Sequence, residues 1–335
     1  MNWRRLVIFT LVGATAIGAL AWFAYGRTPL VTPVKAQRGL AVEIVYATGG
    51  VEPVRWAKVA SVIRDRIVEI CDCEGQTVKK GDVLAKLDDR EVQAQLNDLK
   101  ARQNFLQREM TRVTDLVARN SATTQAYERA GMELSQVTAQ IQVQLQRIDD
   151  YTIVAPMDGV VLRRDGEIGE IAESGQVLYR VGVPRPLQVV AEVNEEDIPR
   201  VAVAQGVLFR TDAFPDRRLE GAVREITPMG DVVAKTYRVK IALPDDTPLK
   251  PGMSVEANIV TREKAGALLI PADAVQNNVV FVIDGNRLRR RAVQLGIKGT
   301  RNVEVISGLE EGEPTAAPFS AAFTDGARIR IKAEP

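Results

Sequence analysis

The chain has 335 residues, with 44 Lys and Arg against 43 Asp and Glu, a formal net charge of +1 and no histidine. Near-neutral charge argues against nucleic acid as a partner, because a phosphate-binding surface needs a clear basic excess. Without imidazole there is no Ser-His-Asp or Cys-His catalysis, no His-ligated zinc or haem and no histidine general base, and aromatic residues at 5% disfavour a carbohydrate or base-stacking surface.

The first predicted element is a membrane anchor over residues 1–26. Arg4 and Arg5 precede an uncharged run from Leu6 to Tyr25, and a spanning helix needs about 20 such residues. Trp3 and Trp22 flank the run as interfacial aromatics, and the two arginines favour a cytoplasmic N-terminus. A cleaved signal peptide is the rival reading. It would have a shorter apolar region and small residues at the cut site, whereas this run ends in Trp22, Phe23 and Tyr25. No cysteine lies near residues 20–30, so a lipoprotein anchor is excluded. The expected placement is single-pass in the inner membrane, with the bulk of the chain in the periplasm.

Two later segments resemble each other: Arg66 to Asp88 and Gly159 to Gly182. Each opens with a β-rich stretch, then places two glycines six apart, Gly75 with Gly81 and Gly169 with Gly175, ahead of a Val-Leu pair. Glycine permits the positive φ that tight strand connections require. Each half is therefore expected to form a small sheet, and the two to pack as a sandwich. Cys71 and Cys73 fall in the first half, two apart in a strand-like run from Ile67, so their side chains share a face. A disulfide between them would be strained. They are read as small, partly buried thiols, with redox sensing as the alternative. The half-repeat is similar to the lipoyl/biotinyl carrier domain, a resemblance that implies a cofactor-bearing lysine at the turn between halves. Here that turn is replaced by residues 89–150.

The replacement is helical. Val92, Leu96, Leu99, Gln103, Leu106, Met110, Val113 and Val117 are spaced by four and three, a heptad seam with one polar interruption. A second seam runs through Tyr127, Ala130, Leu134, Val137, Ile141, Gln144 and Ile148. Between them, Asn120 to Thr124 offers poor helix propensity and good capping residues. The prediction is an antiparallel coiled-coil hairpin whose first helix spans about 29 residues, or about 43 Å. A plain spacer or dimerisation arm would show the same seams. The hairpin's position, held away from an anchored body by a small sandwich, makes it a reaching device.

After the second half, Leu187 to Pro228 alternates apolar and polar residues in short strands separated by turns. Leu249-Lys250-Pro251-Gly252-Met253 places a Pro-Gly turn before the next strand. Ile270 to Val275 and Ser307 to Gly312 follow. In this order the segments resemble the HlyD-like periplasmic adaptors, the membrane fusion proteins of tripartite efflux and secretion pumps (MacA/AcrA-like). The resemblance implies a mostly β fold with an α-helical coiled-coil hairpin, an elongated modular adaptor. Its parts would be an anchor at 1–26, a lipoyl-like sandwich from 51–90 and 151–184, the hairpin at 91–150, a β-barrel at 185–261 and a membrane-proximal β domain from 31–50 and 262–335. The last of these would take up the strand near Val42 to Thr48, so the chain runs out through its modules and returns. At the hairpin tip, Arg112, Leu116, Thr123 and Tyr127 match the spacing of the family's channel-docking pattern, with Thr in place of Ser. That match implies that Arg112, Leu116 and Thr123 dock onto a TolC-like outer-membrane channel. Leu116 sits beside the seam residues Val113 and Val117 and is expected to be partly exposed.

The implied partners are an inner-membrane transporter, ABC (MacB-like) or RND, the outer-membrane channel, the membrane, and further copies of the chain in a hexameric ring. No cofactor, metal or catalytic residue is expected. The main alternative is a lipoyl- or biotin-bearing subunit of an acyl- or carboxyl-transfer enzyme, which the missing carrier lysine disfavours. Carboxylate runs at Glu195-Glu196-Asp197 and Glu310-Glu311 read as solvated turns. The basic run Arg287 to Arg291 reads as a solvated strand edge, with transporter contact as the alternative.

Overall fold

The structure is a computed structural model and describes residues 29–331. No helix among them is long and apolar enough to cross a membrane. The anchor expected at 1–26 lies outside the described residues. The chain forms two units, one from Val51–Gln188 and Pro244–Met253, the other from the segment ending at Gly50, Val189–Leu243 and the segment starting at Ser254.

The first unit is a β-sandwich carrying the helical hairpin. One four-stranded sheet runs in the order Trp56–Ala60, Val177–Gly182, Gly159–Arg164, Thr77–Val78; the other runs Thr152–Val154, Val83–Leu87, Asp65–Ile70, Ile171–Ala172. The expected one-sheet-per-half arrangement is therefore corrected: each half lends one short strand to the other's sheet. The exchange is symmetric. Gly75 donates its N–H to the Val161 carbonyl and Gly169 donates to Ile67, both at 2.8 Å. Gly81 donates to Ala155 and Gly175 to Ser61, at 2.9 and 2.8 Å. All four glycines have positive φ, so the turn chemistry read from sequence holds, while its bonds close across the halves. Strand exchange satisfies backbone groups that two short separate sheets would leave as open edges.

Ile67, Leu84, Leu87, Val161, Leu178 and Tyr179 fill the sandwich core. The Tyr179 hydroxyl reaches the carbonyls of Leu84 at 2.8 Å and Cys71 at 3.0 Å, which satisfies the one polar atom of a fully buried ring. Cys71 and Cys73 are joined by a disulfide, with Cα atoms 5.2 Å apart. This corrects the reading of two free thiols. The strand ends at Ile70, so the Cys71-Asp72-Cys73 backbone is not extended, and the shortened Cα separation falls in the bridging range.

The hairpin rises from two neighbouring strands of this sandwich. Val83–Leu87 and Thr152–Val154 pair antiparallel, so both feet of the insertion leave from adjacent positions. Helix α1 spans Arg90–Ala118 and helix α2 spans Thr124–Asp149. Leu96 and Leu106 of α1 pack with Val137 and Ile141 of α2, flanked by Leu99, Leu134 and Ile148. The polar seam positions are paired: Gln103 donates to the Thr138 hydroxyl at 3.0 Å, and buried Gln144 donates to the Val92 carbonyl at 3.0 Å. Buried amides that find such partners fix register without leaving an unsatisfied group.

Lys250 to Met253 form a type II turn, with Pro251 at the second position, Gly252 at φ +90° and the Met253 N–H on the Lys250 carbonyl at 3.2 Å. Val51 and Gly252 exchange the remaining bonds: Val51 donates to Met253 and Gly252 donates to Val51, each at 2.8 Å. The Pro-Gly motif thus clasps the start of the sandwich chain.

In the second unit, the strands Gly206–Arg210, Leu219–Ile226, Thr236–Ala242, Leu187–Asn194, Gln37–Pro53 and Ser254–Pro271 follow one another, and the last pairs back with the first. That closure makes a barrel. Alternate residues point inward: Val189, Ala191 and Val193, then Val207 and Phe209, Val239 and Ile241, and Val255, Ala257 and Ile259 are buried. The Val42 to Thr48 stretch pairs with Glu256–Glu263, so most of it serves as a barrel wall. Beyond the barrel the same two long strands continue side by side, and Leu269–Pro271 pairs with Asn302–Glu304.

A smaller sheet orders Val275–Gln276, Val279–Asp284, Pro314–Ala317, Leu30–Lys35 and Arg330–Ile331, with Arg287–Ala292 pairing Val279–Asp284. Its core holds Val31, Phe281, Ile283, Leu288, Ala316 and Ile329. Phe281 stacks against Phe319 and Phe323 with ring centroids 5.4 and 5.5 Å away. The first and last described strands lie side by side in parallel.

Candidate functional site

The tip of the hairpin is built by two caps. At the end of α1, Asn120 has φ +52°, in the left-handed region. Its N–H bonds the Val117 carbonyl at 2.9 Å, and the Ser121 N–H bonds the Leu116 carbonyl at 2.7 Å. These are the two bonds of a Schellman motif, and asparagine is the residue after glycine that best tolerates its left-handed position. At the start of α2, the Thr123 hydroxyl oxygen accepts from the Ala126 N–H at 3.2 Å, a standard N-cap. The two caps satisfy end groups of both helices within a very short connection and so define the shape of the turn.

Arg112 and Leu116 lie one helical turn apart on α1, so they share a face. Arg112 is exposed and its Nε donates to Glu109 Oε2 at 2.8 Å; Nη2 bonds the other carboxylate oxygen. The guanidinium, by hydrogen bond first and charge second, holds the Glu109 carboxyl below its ordinary value. The remaining Arg112 donors point to solvent. Leu116 is half-buried, and Thr123 is exposed. Tyr127, placed by its spacing at the start of the second seam, is 40% exposed and also faces outward. Sequence reasoning missed Glu109, whose position three residues before Arg112 on a helix was the available signal. It also missed the specific use of Asn120.

Among the described residues no group of three or more Cys, Asp or Glu could hold a metal ion. Of the acidic turns expected to be solvated, Glu195, Glu196, Glu310 and Glu311 are exposed, whereas Asp197 is half-buried and paired with Arg200.

The comparisons with known proteins run along the same modules. The barrel-sandwich hybrid domain of RND MFPs matches residues 55–183, the CusB-like β-barrel domain matches 187–263, and the CzcB C-terminal circularly permuted SH3-like domain matches 268–322. The term hybrid agrees with sheets that exchange strands. Over 312 residues the chain is 27% identical to the multidrug resistance protein MdtA of Klebsiella pneumoniae, covering 84% of this chain and 76% of that one. It is 24% identical over 302 residues to the nodulation protein NolF of Rhizobium meliloti, covering 84% and 82%. Among solved structures it resembles a MacA-MexA chimeric protein carrying the Pseudomonas aeruginosa MexA α-hairpin. That match has a TM-score of 0.62 and 26% identity, covering 86% of this chain and 100% of that one.

A hairpin-bearing hybrid sandwich, followed by a closed barrel and an SH3-like domain, defines a modular adaptor. The chain carries in order the domains described for RND membrane fusion proteins, and it is similar to the periplasmic adaptors of that family.

Proposed function

We propose that the chain links an inner-membrane transporter to a TolC-like outer-membrane channel, and that Arg112, Leu116 and Thr123 form the surface that docks onto the channel. The observation that carries this reading is the capped tip, which presents a free guanidinium edge, a half-exposed Leu and an exposed hydroxyl on a rigid turn. Arg112 would donate to carbonyls or carboxylates of the channel. Leu116 would enter an apolar groove between its helices, and the Thr123 hydroxyl, whose oxygen caps α2, would still donate its proton.

An RND transporter is the favoured partner, because the matching family descriptions name RND and CusB-like domains. Likeness to a MacA-derived structure favours an ABC transporter as the second reading. In this account residues 1–26 anchor the chain in the inner membrane, its bulk lies in the periplasm, and copies assemble as a hexameric ring. A multidrug resistance protein among the relatives supports drugs as cargo. The carrier-enzyme alternative loses its site, since the hairpin fills the turn where the lysine would stand.

The test is cellular resistance to an exported compound, with expression checked, for Arg112→Asp and Leu116→Ser. Both are expected to abolish export while the protein stays folded and abundant. Normal export by both variants would overturn the tip assignment.

A further inference from the structure

The arginines of the small sheet have no part in tip docking. Arg287, Arg289 and Arg290 are exposed, as are Arg328 and Arg330. Leu288 and Ile329 between them are buried and tie the strands to the core. An antiparallel bridge sets Arg287 opposite Arg328. Side chains so placed stand about 5 Å apart, and like charges there repel.

The neighbouring carboxylates are committed elsewhere. Asp284 pairs with Arg289 at 2.7 Å, Glu313 pairs with Arg291 at 2.7 Å, and Asp325 accepts from the Arg290 backbone N–H at 2.8 Å. Among the described residues no carboxylate pairs with the side chains of Arg287, Arg290, Arg328 or Arg330. In a chain of net charge +1, this is a local concentration of uncompensated positive charge.

Its place in the fold says what compensates it. Arg330 donates its backbone N–H to the Pro29 carbonyl at 3.0 Å, and it pairs with Leu30 in register. The cluster therefore lies where the chain arrives from residues 1–26. The three-residue step from Gly26 to Pro29 reaches at most about 11 Å, close to the Debye length of about 8 Å at physiological ionic strength. Arg27 lies within that step.

We propose that Arg287, Arg290, Arg328 and Arg330 form a docking surface for anionic phospholipid headgroups of the membrane that anchors the chain. The inference rests on the reading of residues 1–26 as an anchor. Guanidinium binds phosphate through paired hydrogen bonds, and basic clusters beside a membrane span are drawn to anionic lipid. Beside Arg330 the apolar side chains of Leu30 and Ile331 are exposed, and a bilayer accepts such side chains at the boundary just below its charged headgroups.

The full-length chain is reconstituted into vesicles of phosphatidylcholine alone or mixed equally with phosphatidylglycerol. Arginine modification by an α-dicarbonyl reagent is then followed peptide by peptide. Arg287, Arg290, Arg328 and Arg330 are expected to react about fivefold more slowly on the anionic vesicles, the factor one such contact supplies. Arg112 should react equally on both. Protection should vanish in about 1 M salt, where screening acts within about 3 Å. The double variant Arg290→Glu, Arg328→Glu should lose protection at Arg287 and Arg330 while keeping its unfolding temperature. Equal reactivity on both vesicles, or protection only after a transporter is added, would overturn the proposal. Retention of the chain on vesicles at high salt reports the anchor separately.

Discussion

Glu43 stands on the long strand Gln37–Pro53, buried, with Arg262 and Arg200 on its two oxygens at 2.5 and 2.9 Å. Glu304, also buried, accepts from the Ile297 N–H at 2.9 Å and from Lys264 at 2.5 Å. The guanidinium of Arg262, then that of Arg200, holds Glu43 below its ordinary carboxylate value of 4.5. The Ile297 amide and then Lys264 do the same for Glu304. A carboxylate whose folded value is depressed contributes stability above its unfolded value and loses it as pH falls through the folded one. The urea midpoint is thus expected to hold steady from neutral pH down to about 4.5 and then to drop. The variants Glu43→Gln and Glu304→Gln should each be less stable at neutral pH by about 1–3 kcal/mol, with a shallower acid drop. An unchanged acid slope in both would contradict this assignment. None of these pairs was legible in the sequence, because the charged partners lie far apart along the chain and all the pairs meet only through strand register. The half-repeat glycines were legible, since a positive φ leaves a residue-type signature. The disulfide was not, because the strand-like pattern through Cys73 hid the end of the strand at Ile70.

At the scale of elements, the hairpin and the sandwich make different demands. The hairpin depends on a narrow seam, so Ile141→Ala is expected to cost about 2–5 kcal/mol, read as a lower melting temperature of the helical signal. Asn120→Val would force a β-branched residue into the left-handed region and loosen the tip, whereas Asn120→Gly should leave it intact. Hydrogen exchange at Ser121 and Asn120 reports this directly, and equal protection in the two variants would refute the cap. The seams were legible because helix periodicity is a local property. The sandwich depends on close backbone approach. A Cβ on Gly182 would lie 2.5 Å from Cβ of Trp56, and one on Gly159 would lie 2.7 Å from the Gly182 carbonyl oxygen. Gly182→Ala is accordingly expected to destabilise the sandwich by more than Gly175→Ala, whose position is open on the side a Cβ would take. Chemical denaturation of both variants checks the order. Which strand pairs with which was not legible, since two similar halves allow either separate or exchanged sheets, and only tertiary hydrogen bonding decides between them.

For the molecule as a whole, the sequence conveyed best the mostly β fold that carries two helices. Each module carries its own local marker, from the heptads to the Pro-Gly turn clasping Val51. The first and last described strands meet in one sheet, while the hairpin is inserted between the two halves of the sandwich. The most direct test is to crosslink the full-length protein in its native cells, purify it and identify what comes with it. The account predicts an inner-membrane transporter and an outer-membrane channel together, with Leu116→Ser losing the channel and keeping the transporter. Recovery of neither partner, or of a channel that Leu116→Ser and Arg112→Asp both retain in full, would contradict it.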